Sequence, residues 1–171
     1  MTSEYTKPVP RPHLNPEVSA PFWAGTKRHE LWLQHCKRCS NFIFYPREAC
    51  PTCWGHGDDL IWTRASGMGR IHSYTTVFQP AVPSFGEDMP MAQVLIELDE
   101  GVRMVGNMAD VSPEEYRENP ALLQISQRVE AVFEDVTPEW TIIKWRRVDE
   151  EPVPGSESPA DNEWMKDPRF N

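Results

Sequence analysis

Four cysteines are the residues of this chain whose type and spacing point to chemistry. They stand as Cys36-x2-Cys39 and Cys50-x2-Cys53, with ten residues between the pairs. A two-residue gap lets both thiolates of a pair turn toward one point. Two such turns facing each other supply four sulfurs at tetrahedral corners, which suits a closed structural Zn2+ site. Iron in a rubredoxin-like redox site shares that geometry. Two disulfides are the covalent alternative, disfavoured in a chain that reads as intracellular. His35 and His56 lie beside the knuckles and, with four thiolates at hand, read as neighbours of the metal and not as ligands. If all four cysteines hold metal, none is left as a nucleophile, and four protein ligands leave no open position for a catalytic water. The metal is then a staple for a loop-rich segment too small to have its own core.

The elements around these knuckles read as short ribbon strands. Leu31–His35 alternates into the first knuckle, Phe42–Tyr45 runs away from it, and Pro46 precedes the return to Cys50. Upstream, Ser19–Glu30 is expected to be a short helix, with Ser19 as its cap and Pro21 in its first turn. Downstream, Gly69–Phe78 alternates as a strand, with Ile71, Ser73, Thr75 and Val77 on one face and His72, Tyr74, Thr76 and Phe78 on the other. Ala92–Leu98 and Val102–Met108 are strands joined by an Asp99-Glu100-Gly101 turn. Ser112-Pro113-Glu114-Glu115 opens a short helix with a capping serine and a glutamate three residues on. Arg128–Glu134 and Trp140–Arg147 are the last two strands. Five strands with a helix between the third and fourth is the chain order of an OB-type barrel; another small barrel or sandwich fits the pattern too. The connection from Gln79 to Met91 is long for a hairpin and carries three prolines and Phe85. It reads either as a solvated connector or as a flap against a ligand or partner.

Composition bounds the function. The chain has 171 residues and a net charge of −9. That argues against a partner held mainly by phosphate neutralisation, such as nucleic acid. The charge is uneven: residues 1–60 carry +1, residues 61–148 carry −5 and residues 149–171 carry −5. Nine of the 17 prolines fall in 1–21 and 149–171, so both ends read as extended or disordered. Trp164, Met165 and Phe170 punctuate the acidic tail, which is either solvated or ordered against a partner. No apolar run is long enough for a membrane helix. No charged-then-apolar leader opens the chain, so the expected location is cytoplasmic. The expected division is an N-terminal extension and helix over 1–30, a zinc ribbon over 31–60, an OB-fold domain over 61–148 and an acidic, proline-bearing tail over 149–171.

The ordered set of motifs resembles one family more closely than any zinc ribbon alone would. It runs Pro21-Phe22-Trp23, Gln34-x-Cys36-x2-Cys39, Tyr45-Pro46-Arg47-x2-Cys50-Pro51-x-Cys53 and Gly69-x-Ile71-x-Ser73-Tyr74-Thr75. Leu98-x-Glu100-Gly101-x-Arg103-x2-Gly106-Asn107 and Val129-x-Ala131-x-Phe133-Glu134-Asp135 complete it, covering residues 20–148. This is similar to the acyl-CoA-associated family that joins a rubredoxin-like zinc ribbon to an OB-fold (domain of unknown function thirty-five). Ser40 and Trp54 depart from it, standing after the knuckles where the family often has glycine or another small residue. The stretch Arg117–Gln127 blurs the usual short approach to the fourth strand.

The resemblance implies a mainly-β fold: N-terminal helix, rubredoxin-like ribbon, five-stranded OB-fold barrel with one short helix. It implies a non-catalytic subunit pairing with a thiolase-like enzyme (a thiolase, acyltransferase or retro-aldolase) in a two-plus-two assembly, with a CoA thioester as substrate of the complex. No catalytic residue is expected on this chain. Within that reading Arg47, His72, Tyr74 and Phe85 are candidates to border the acyl-CoA channel, and Phe22, Trp23 and Trp164 to touch the partner. Each has a plainer reading: a salt bridge to the ribbon for Arg47, strand packing for His72 and Tyr74, and packing anchors for Phe22 and Trp23. A nucleic-acid-binding ribbon and barrel, with Tyr74 and Phe78 stacking on bases, is the alternative.

Overall fold

A computed structural model describes residues 5–10, 16–119 and 122–148. The first helix, α1 (Pro16–Lys27), begins three residues earlier than the sequence predicts and ends three residues sooner. Ser19 is therefore not its cap. It sits inside the first turn, is 1% exposed, and its hydroxyl donates to the Pro16 carbonyl at 3.2 Å. Proline at the first helical position needs no N–H partner, which makes Pro16 the better start. The helix stops where the chain turns through His29 at φ 58°.

Strands β1 (Trp32–Cys36), β2 (Phe42–Ile43) and β3 (Leu60–Arg64) form a three-stranded antiparallel sheet in the order β2-β1-β3. The boundary expected after residue 60 thus falls at the first residues of a strand that belongs to the ribbon sheet. Trp32 pairs with Arg64 and Cys36 with Leu60. Leu33 of β1, and Leu31 just before it, point into the main core, 1% and 2% exposed. The other carries Cys36 toward a small second core with Ile43, Cys50 and Leu60.

The barrel follows. Strands β4 (Met68–Val77), β5 (Met91–Leu98), β6 (Arg103–Asn107), β7 (Arg128–Asp135) and β8 (Thr141–Arg147) form one sheet in the order β6-β5-β4-β7-β8. A parallel bridge between Met108 and Trp145 draws the two outer strands together, and the Ala109 amide donates to the Trp145 carbonyl at 2.7 Å. This closure is the OB topology. It depends on Gly106, where a β-carbon would lie 2.6 Å from the Trp145 indole nitrogen. Trp145 itself is fully buried at the centre of the core.

The faces of β4 differ from the alternation predicted. Ile71 pairs with Ile96, but Ser73 pairs with Leu95, so a bulge at His72 shifts the register by one. An extra residue in one strand turns every later side chain to the opposite face. Ile71, Tyr74 and Thr76 therefore point inward, while His72, Ser73 and Thr75 are exposed. Thr76 then meets the Tyr116 hydroxyl at 3.0 Å.

Tyr116 belongs to α2 (Pro113–Glu118), between the third and fourth barrel strands as predicted. Its capping box is complete: Ser112 Oγ accepts from the Glu115 amide at 3.2 Å, and Glu115 Oε2 accepts from the Ser112 amide at 3.0 Å. On a helix this short the cap carries much of the stability. Ser112→Ala is expected to lower unfolding free energy by about 1 kcal/mol, read as a shift in urea midpoint with an unchanged slope.

Candidate metal centre

Each knuckle is closed by its own backbone. The Ser40 amide donates to the Cys36 carbonyl at 2.8 Å, and the Trp54 amide to the Cys50 carbonyl at 3.0 Å. Both closing residues sit in the left-handed region, each at φ 59°. These are the two positions where the sequence departs from the family's small residues. The knuckles are tied together by Asn41 Nδ2 donating to Thr52 Oγ1 at 2.9 Å.

The four Sγ atoms all lie within 4.8 Å of one another, and no other His, Cys, Asp or Glu group among the described residues forms such a cluster. The Cys36–Cys53 and Cys39–Cys50 sulfurs are 3.5 Å apart. A tetrahedron with metal–sulfur bonds of about 2.3 Å has edges of about 3.8 Å, so the sulfurs already stand near the required spacing. No disulfide forms between them.

Without a cation the cluster is electrostatically frustrated. Burial opposes ionisation of Cys50, but the amides of Cys53 and Thr52 and the neighbouring thiols of Cys39 and Cys53 donate to its sulfur, which brings its pKa to about 6. At Cys39 the Asn41 amide favours the thiolate, yet burial and the sulfurs of Cys53, Cys50 and Cys36 outweigh it and push the pKa to about 12. Thiolates this close repel one another, and a divalent metal is the group that lets all four ionise together. The donor set therefore fits zinc. His35 instead packs its ring on Phe42, centroids 4.7 Å apart, and His56 Nδ1 lies 3.3 Å from the Trp54 carbonyl.

The other candidate residues are scattered around this centre. Arg47 is held by its backbone: Gln34 accepts from its amide at 2.8 Å and donates to its carbonyl at 3.0 Å. Its side chain is exposed. His72 is exposed at the bulge, 3.7 Å from Glu97. Tyr74 packs against the core, and burial raises its hydroxyl pKa, with the nearby Tyr116 adding to it.

Phe85 lies on a 3-10 turn, Pro83–Asp88, within the long connection. It lines a cavity of about 240 Å³ with Tyr5, Met91, Met108 and Ile142. Lys7 sits 5.6 Å from its ring centroid and pairs with Asp88, so residues 5–7 lie along that cavity. No pattern in the sequence marks this contact, because a lone lysine far upstream has nothing to betray it.

Phe22 is 3% exposed, buried against Trp23, Phe44 and Tyr45 at 5.0, 5.7 and 6.0 Å. It is a packing anchor with no face left for a partner. Trp23 is half-buried, donates to the Tyr45 hydroxyl at 2.9 Å and packs edge-on against Trp140. Trp164 lies outside the described residues.

Two family models match in chain order. One, described as the ChsH2 rubredoxin-like zinc ribbon domain, covers residues 23–59; the other, the ChsH2 C-terminal OB-fold domain, covers residues 62–134. A DUF35 domain-containing scaffold protein of Methanothermobacter thermautotrophicus is 33% identical over 113 residues, covering 66% of this chain and 78% of that protein. A probable enoyl-CoA hydratase alpha subunit of Thermomonospora curvata is 30% identical over 138 residues, 80% of this chain. This chain spans only 39% of that protein's length. Among solved structures, one titled Ltp2-ChsH2(DUF35) aldolase superposes with a TM-score of 0.64 at 28% identity, covering 80% of this chain and 98% of that one. With four sulfurs converging in a ribbon, an OB barrel behind them and both models matched in order, the chain belongs to the DUF35 family of joined zinc-ribbon and OB-fold proteins.

Proposed function

We propose that this chain is a non-catalytic, zinc-stapled subunit that pairs with a thiolase-fold enzyme acting on an acyl-CoA. The observation that carries the reading is the convergence of all four cysteine sulfurs of the chain within 4.8 Å. It commits every thiol to metal, so the chain has no cysteine nucleophile. A site with four protein ligands also gives no place to a metal-bound water. When bound, the metal supplies only cross-linking of the two knuckles.

The names of the relatives support a role beside another protein. One is named a probable hydratase alpha subunit, another a scaffold protein, and one solved relative is named Ltp2-ChsH2(DUF35) aldolase. In this reading the exposed guanidinium of Arg47 is the candidate to meet a CoA phosphate, a contact that needs one well-placed cation and not a basic surface. Phe85 and Tyr74 are the candidates for the acyl end, and Trp23 for the partner's surface. A two-plus-two assembly and a cytoplasmic location belong to the same proposal.

The test is reconstitution with the thiolase-fold enzyme of the same organism. The two chains are expected to co-elute from a sizing column, and acyl-CoA turnover is expected to need both. Full activity of the enzyme alone, without co-elution, overturns the proposal.

A further inference from the structure

We propose that residues 5–7 are a displaceable strap over the cavity at the barrel mouth: Tyr5 and Lys7 hold it shut, and their release opens it to a small neutral apolar molecule. The device belongs to this chain alone. It is tested without a partner or a CoA thioester, so it stands or falls apart from the subunit reading.

The cavity has a volume of about 240 Å³, larger than the ~150 Å³ void that takes up benzene. Met91, Ala92, Met108, Val111 and Ile142 give it an apolar lining. The four charged residues that border it pair off. Lys7 Nζ donates to both Asp88 carboxylate oxygens, at 2.7 and 2.5 Å, and Lys144 pairs with Glu134 at 2.5 Å. Apolar walls and cancelled charge offer an ionic ligand no counter-charge and suit a neutral one.

Residues 5–7 reach both banks. On one side Lys7 meets Phe85 and Asp88, which lie on the connection between β4 and β5. On the other, Tyr5 lines the cavity together with Glu134 of β7. Burial pushes the Tyr5 hydroxyl's pKa up; Lys7 opposes this, and the carboxylates of Glu134 and Asp88 add to it. Tyr5 therefore feels carboxylates from both sides of the mouth.

The hold is of a kind that gives way. Residues 5–10 belong to no helix or strand. The Lys7 and Asp88 side chains keep 29% and 35% of their surface in water, and an ion pair so placed is weak and screened by salt. A cation near a phenylalanine ring adds a contact of similar size. Pro8 restricts the backbone of Lys7 as well as its own, so little chain entropy opposes closure. Such a balance leaves an open fraction on the order of 10%, and a ligand that needs the open state binds more weakly by that factor.

The experiment titrates the full chain with N-phenyl-1-naphthylamine, a neutral probe that fluoresces in apolar surroundings. Wild type is compared with a Tyr5→Ala, Lys7→Ala double variant and with Asp88→Ala, which frees Lys7 from the opposite bank. Both variants are expected to bind about 10-fold more tightly than wild type. Added NaCl is expected to tighten binding to wild type more than to the double variant, because only wild type has a Lys7–Asp88 pair to screen. Ile142→Trp in the double variant is expected to fill the cavity and abolish the gain. Met91→Trp fills it from another strand, and circular dichroism shows which of the two keeps the barrel folded.

Equal affinity and equal salt response across the three chains overturn the proposal. Weaker binding in the double variant also overturns it, since Tyr5 and Lys7 would then be contacts of the ligand and not its cover. A gain in affinity that survives a folded cavity-filling variant places the probe elsewhere and overturns it too.

Discussion

Cys50→Ser is expected to release the metal and unfold the tip of the ribbon while the barrel stays folded. A serine hydroxyl does not ionise at neutral pH, so the site falls from four thiolates to three. Structural zinc binding is worth about 10–16 kcal/mol at neutral pH, comparable to or larger than the 5–15 kcal/mol that holds a whole domain together. For a segment with so small a core of its own, metal binding and folding are one event. The core it shares with Ile43, Leu60 and the cysteines contains no large buried aromatic. Leu31 and Leu33, by contrast, belong to the main core, and so does Phe22. The break should therefore fall between β1 and the knuckles. Native mass spectrometry is expected to show a metal-free variant, and hydrogen exchange to show loss of protection confined to residues 36–59. A variant that keeps stoichiometric metal and full protection would contradict the assignment. Acid should do to the wild type what the substitution does. Protons compete with the metal for thiolates, so occupancy is complete at neutral pH and is lost as pH falls.

The second large effect is expected at Gly69, in the middle of the barrel. It pairs with Leu98 on one side and Val129 on the other. A β-carbon there would lie 2.6 Å from the Glu97 carbonyl oxygen, 2.7 Å from Ile96 Cγ2 and 3.1 Å from Leu98 Cα. Two of those three atoms are backbone in the neighbouring strand and cannot swing aside. Gly69→Ala is expected to cost about 3 kcal/mol, a melting-point drop on the order of 10 °C for a domain of this size. Gly101→Ala is the control. It has open space around it but a φ of 78°, so it should lose only about 1 kcal/mol, the cost of a side chain in a left-handed turn. Equal melting of Gly69→Ala and wild type would mean that β4 and β5 do not pack as described.

The metal centre was readable because its chemistry is encoded in identity and spacing. Two such pairs ten residues apart supply four sulfurs at the spacing a tetrahedral site needs. Ser112-Pro113-Glu114-Glu115 was readable for a similar reason, since a capping box is a local contract among neighbours. The five strands and their order followed from alternation and turns. Features set by contacts across the chain were not readable. The bulge at His72 is a property of how β4 meets β5, and it reversed the expected faces of Tyr74 and Thr76. Leu60–Arg64 has no internal mark that assigns it to the ribbon; only its pairing with β1 does. Ser19 offered a plausible cap, but Pro16 offered an earlier start with no N–H to satisfy. Trp54 departed from the family's small residue at the second knuckle, and only the structure shows the positive φ that a small residue there would suit.

Helix α1 touches both halves of the molecule. Phe22 packs on Phe44 and Tyr45 of the ribbon side, and Trp23 packs on Trp140 beside the last barrel strand. The Ala65 amide bonds the Leu31 carbonyl at the junction, and Lys27 and His29 both reach Asp135. A hinge between ribbon and barrel would have to tear this bracing and withdraw Leu31 and Leu33 from the core. The two modules are therefore braced against hinging, and the barrel sets the direction in which the ribbon points.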